Sequence, residues 1–154
     1  MTNSNNTPLI SLNANETALA NQQEPAKKYE FTGETIEVCF KTLHRIRALR
    51  DFGDVKKGDL GGFIEKESNL SHKRNCWIFG NAQVSDYAEV GGASVGDNAK
   101  VFDYARIYGN SVIGESVHVY GNAKIYNQAY ICCRVDIAGN CKISGSTVIV
   151  EREK

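Results

Sequence analysis

The sequence predicts an all-β chain whose larger part is a parallel β-helix, and three observations over 74–150 predict it. An Ile or Val recurs every six residues at Ile78, Val84, Val90, Val95, Val101, Ile107, Ile113, Val119, Ile125, Ile131, Ile137, Ile143 and Ile149, with one five-residue step from Val90 to Val95. Two residues before each stands a small or modest side chain, as at Cys76, Ala82, Ala99, Ser111, Val117, Ala123, Cys141 and Thr147. Turn-forming pairs precede these at Gly80-Asn81, Gly109-Asn110, Gly121-Asn122 and Gly139-Asn140.

A strand points alternate side chains the same way, so each hexad turns its small residue and its Ile/Val inward. Gly and Asn tolerate the positive φ of the corner. Three hexads close a coil of about 18 residues, and coils stack at roughly 4.8 Å. Thirteen hexads give a little over four coils. A six-residue apolar period does not stay on one side of a 3.6-residue helix, which excludes a helical reading.

The repeated Gly-Asn-Ala-x-Val/Ile, as at Gly121-Asn122-Ala123-Lys124-Ile125, resembles the hexapeptide-repeat family. That resemblance implies a left-handed coil, an exception to the usual crossover hand. It also implies either acyltransferase activity or a binding or scaffold role. The leader, with Tyr29-Glu30-Phe31-Thr32-Gly33-Glu34 and Gly58-Asp59-Leu60-Gly61-Gly62-Phe63, is similar to that of small hexapeptide-repeat proteins of bacteriophage and prophage. This similarity implies a phage accessory protein, one that inhibits a host defence complex by occupying its surface.

In chain order, residues 1–26 are rich in Asn, Thr, Ser and Gln and are expected as a disordered tail. Within it Leu9-Ile10-Ser11-Leu12 is a short segment expected to fold only against a partner. Residues 27–61 are expected as a β cap: a hairpin of Tyr29–Thr32 and Thr35–Phe40 turning at Gly33-Glu34, then a strand over Leu43–Leu49 with His44, Ile46 and Ala48 on one face. Such a cap would cover the unpaired backbone of the first coil. The coil is expected over 62–150, opening with irregular hexads Gly62/Ile64 and Ser68/Leu70, and a charged tail over 151–154 closes the chain.

Because three hexads make a coil, outward residues sort onto three faces. The first carries Trp77, Phe79, Val112, Tyr130, Val148 and Val150 and almost no charge, which points to a homo-oligomer interface (dimer or trimer) or to cover for the leader. The second carries Gln83, Lys100, His118 and Asp136, with Phe102 and Tyr120 one coil apart and expected to stack. The third carries Glu89, Arg106, Lys124 and Lys142 beside Tyr108 and Tyr126, with Tyr87 and Tyr104 at its corner. That basic and aromatic column is the expected partner-binding surface, suited to a host protein or nucleoprotein, though too sparse for a dedicated nucleic-acid groove.

Net charge is zero, so only a local patch attracts an anionic partner. No apolar run is long enough to span a membrane, and no export signal opens the chain, so a cytoplasmic protein is expected, in the host cytoplasm if phage-encoded. Five cysteines without a C-x-x-C pair argue for reduced thiols, and no metal or cofactor is expected. Acyltransferases of the family that the repeats resemble use a histidine base. His118 alone lies within the regular repeats, and without a long excursion from the coil no acceptor pocket is expected. The balance favours a non-catalytic binding protein, with an acyltransferase using His118 as the alternative and a small-ligand sponge at an oligomer junction as the third reading.

Overall fold

The computed structural model describes residues 26–151; the bulk of the expected N-terminal tail, its Leu9–Leu12 segment and residues 152–154 lie outside them. The hexads wind a parallel β-solenoid with three flat walls. A histidine wall stacks Leu60–Ile64, Gln83–Val84, Lys100–Val101, His118–Val119 and Asp136–Ile137. An apolar wall stacks Trp77–Ile78, Ser94–Val95, Val112–Gly114, Tyr130–Cys132 and Val148–Val150. A basic wall stacks Glu89–Gly91, Arg106–Tyr108, Lys124–Ile125 and Lys142–Ile143.

Register follows the period: Val101 pairs with Val84 on one side and Val119 on the other, and Val119 with Ile137. The small residues and the Ile/Val of the middle coils are fully buried, so the core is a column of aliphatic layers. The residue missing between Val90 and Val95 is lost at the Gly91-Gly92 corner. Gly92 sits at φ +94°, and a Cβ there would lie 2.5 Å from the Gly109 carbonyl oxygen, so only glycine cuts this corner.

There are about five coils, the two irregular hexads that open the coil completing the thirteen regular ones. Phe63 and Ile64 pair in parallel with Gln83 and Val84, and Leu70 bridges to Val90. The second irregular hexad is displaced by one position: Ser68 is exposed and Asn69 is buried. Asn69 ends a 3-10 turn, Glu67–Asn69, and its amide donates to the Asp86 and Ala88 carbonyls at 3.2 and 2.9 Å. A serine hydroxyl has only one proton to give.

The leader forms β1 (Tyr29–Val38) and β2 (Lys41–Ala48), an antiparallel hairpin that continues the histidine wall beyond β3 (Leu60–Ile64). The turn expected at Gly33-Glu34 is a bulge instead: Gly33 has φ +96°, and pairing slips between Phe31 and Thr35. The chain reverses at Cys39-Phe40, both at positive φ, a geometry more often given to Asn-Gly. A second irregularity between Arg45 and Arg47 breaks the alternation in β2, so Leu43 joins Ile46 and Ala48 in burial while His44 does not.

An aromatic plug closes the N-terminal end of the core. Trp77 is buried with Tyr29 and Phe52 set edge-on to it at 6.3 and 5.3 Å. This corrects the expectation that Trp77 serves an oligomer interface: the leader covers it, and Gly61 lets it fit, since a Cβ there would lie 2.8 Å from its ring. Lys28 is buried beside the plug and donates to the Cys76 carbonyl at 2.6 Å and to Cys76 Sγ at 3.2 Å. Burial lowers its pKa, although Cys76 pulls the other way. His72 stacks on Tyr29 at 4.2 Å and accepts the Lys28 amide proton on Nδ1 at 3.1 Å. At the opposite end Cys141 and Thr147, expected to point inward, are exposed, because among the described residues no coil lies beneath them.

Candidate functional site

Parallel pairing brings Gln83, Lys100, His118 and Asp136 into one outward column, each residue one coil from the next. A strand's alternation puts a second column beside it, in which Phe102 and Tyr120 stack as expected, at 4.9 Å and 4° between planes. His118 Nδ1 lies 3.4 Å from Asp136 Oδ1. On sequence Asp136 was only one of the outward residues of the second face. In the structure its carboxylate lies against the imidazole, both side chains open to solvent.

A carboxylate at Nδ1 selects the tautomer whose Nε2 carries the free lone pair. That is the arrangement in which histidine works as a general base.

A groove that the sequence did not signal lies beside His118, walled by the hairpin. Val38, Cys39 and Lys41 stand across a groove of about 240 Å³ from Gln83, Lys100, Phe102 and His118. The wall that an excursion from the coil would supply is therefore supplied by the leader. An ion pair between Lys41 and Asp86 ties the hairpin to the solenoid. Asp86 also accepts the Asp103 amide proton at 3.0 Å, and its own amide donates to Glu65 at 2.7 Å. Burial pushes the Asp86 carboxyl up, but the bonds from Lys41 and the Asp103 amide, with the charges of Lys41 and Lys66, outweigh it and hold it below the usual range. The hydrogen bond to Asp86 raises Lys41 in turn. Phe40 at the hairpin tip is fully exposed. Sequence reasoning missed Lys41 and Asp86, since nothing local signals a contact between a hairpin and a coil corner.

On the basic wall Glu89, Arg106, Lys124 and Lys142 stack in register, and Arg106 Nε lies 3.8 Å from Glu89 Oε2. Tyr104, Arg106, Lys124 and Lys142 line one hollow of about 490 Å³ with Asn122 and Asn140. Tyr87 stacks behind Tyr104 at 5.1 Å and 6° between planes. Tyr108 and Tyr126, also expected at the partner surface, are half-buried and do not line this hollow. On the apolar wall Phe79, Tyr130, Val148 and Val150 are exposed, and Val112 is half-buried. Among the described residues no group of three or more His, Cys, Asp or Glu is arranged to hold a metal.

No family model matches the chain. An uncharacterised acetyltransferase of Escherichia coli strain K12, YdcK, is 35% identical to it over 81 residues, 48% of this chain. The chain covers 24% of that relative's length. This distant similarity lends nothing to the phage and anti-defence expectation.

Proposed function

We propose that the histidine wall is an acyl-transfer site, with His118 as general base and Asp136 as its orienting carboxylate. The observation that carries this reading is the His118–Asp136 contact facing a groove walled by the hairpin. The partial similarity to an acetyltransferase supports it. In the proposed reaction Nε2 of His118 takes the proton of an acceptor hydroxyl or amine as that atom attacks the carbonyl carbon of a thioester. The C–S bond then breaks, the acyl group stays on the acceptor, and the thiol leaves with a proton returned by the imidazolium. Lys100, one coil away, presents a positive charge where the tetrahedral oxyanion develops.

The apolar wall completes this reading as the contact between copies, through Phe79, Val112, Tyr130, Val148 and Val150. A non-catalytic partner-binding role is the second reading. It draws on the Lys124–Lys142 column, which has no part in acyl transfer.

The test is acetyl-CoA turnover with amine and hydroxyl acceptors, followed by chromatography of released CoA. His118→Ala should lower turnover about 10²- to 10⁴-fold, the usual worth of a general base. Asp136→Asn should lower it less, with acetyl-CoA binding retained in both. Failure of acetyl-CoA to bind, or turnover unchanged in His118→Ala, sinks the reading.

A further inference from the structure

The basic wall holds an arrangement that acyl transfer does not use. Arg106, Lys124 and Lys142 stand one coil apart, so three cations line up over about 10 Å at the solenoid's rise. Glu89 faces Arg106 alone; among the described residues neither lysine has a carboxylate within ion-pair distance. In a chain of zero net charge, this is a local accumulation of positive charge that Glu89 offsets only at Arg106.

Beside it runs the corner column Tyr87, Tyr104, Asn122, Asn140. Tyr87 is covered on one side by Lys66 Nζ, 4.5 Å from its ring, and stacks with Tyr104 at 5.1 Å. The aromatic stack then stops. Tyr104 is 58% exposed and borders the same hollow as the cations, with the amides of Asn122 and Asn140 alongside. The hollow thus offers a ring face, two amides able to donate and accept, and a row of cations one coil apart.

We infer that this hollow binds a nucleoside oligophosphate, its base stacked on Tyr104 against the Asn122 amide and its phosphates along Arg106, Lys124 and Lys142. The site lies on a different wall from His118, so it stands or falls independently of the transfer reaction.

The experiment titrates ATP into the full chain by calorimetry at low salt, with inorganic tripolyphosphate and CoA in parallel. ATP binds, weakens as salt rises, and weakens about tenfold or more in Lys124→Glu/Lys142→Glu, since each loss removes a charge-assisted hydrogen bond. Tyr104→Ala weakens ATP but leaves tripolyphosphate unchanged, while Lys57→Glu in the leader and His118→Ala change neither. Circular dichroism checks that the variants keep their strands. The inference is overturned if ATP does not bind or binds equally to the double variant. It is also overturned if CoA alone is lost with the ladder, which would make the hollow a donor subsite. ATP binding no tighter than tripolyphosphate overturns the base-stacking half.

Discussion

The two ends of the solenoid are made from the same hexads and differ in what lies against them. At the N-terminal end Ile78 is fully buried beneath Trp77, Tyr29 and Phe52, with Lys28 and His72 bonded into the same plug. At the C-terminal end Ile143 and Ile149 are only half-buried, and a Cβ at Gly139 or Gly145 would meet nothing within 4 Å. The motif sets the shape of a coil, and the neighbouring layer sets its burial. Stabilisation follows the apolar area removed from water, so equal hexads contribute unequally.

The largest test of that contrast is Trp77→Ala, which should cost about 3–5 kcal/mol in urea unfolding, the usual loss for a buried aromatic cut to alanine. A second pair of variants compares two corners. Gly92→Ala forces a Cβ against the Gly109 carbonyl, adding about 1–3 kcal/mol of overpacking to backbone strain. Gly145→Ala, at φ +72° in open space, pays only that strain of about 1–2 kcal/mol. Equal losses at the two corners would mean the coils do not press on one another as described.

Acid should narrow the contrast from the plugged side. Burial holds His72 below its ordinary pKa of 6.5, so the fold keeps it neutral while the unfolded chain takes up a proton first. The stability it contributes is full above 6.5 and is lost as pH falls through the lowered folded value. Amide exchange at Tyr29 and Leu70 should rise over that window in the native chain and stay flat in His72→Gln, which keeps an acceptor for the Lys28 amide. Asp86, also held low, loses its contribution in a more acidic window, below about 3.8. The smallest effect belongs to Ile149→Ala, about 1 kcal/mol, because much of that side chain is already wet. A loss matching that of Trp77→Ala would erase the difference between the ends.

The parts legible in the sequence are those encoded at fixed short spacing. The walls, the Phe102–Tyr120 stack and the column through His118 all follow from a period of six and a coil of three. The parts that escaped depend on partners far along the chain. Asp86 meets Lys41, and Lys28 meets Cys76, across separations of 45 and 48 residues. Turn chemistry misled at Gly33, where glycine serves a bulge, and gave no sign that Cys39-Phe40 would reverse the chain. The groove is walled by the unforeseen reversal, through Val38, Cys39 and Lys41, which is why His118 was visible as a residue and the groove beside it was not.

The clipped corner at Gly92 has a consequence for how such a chain can change length. Across it the corner bond from the Asp103 amide to Asp86 spans 17 residues; beyond it, the equivalent bond from Gly121 to Asp103 spans 18. The shortfall is absorbed between walls, so every later column keeps its phase. A residue lost within a wall would instead exchange inside for outside for the rest of the prism. Whole turns can therefore be gained or lost, and single residues trimmed at glycine elbows, without parting His118 from Asp136.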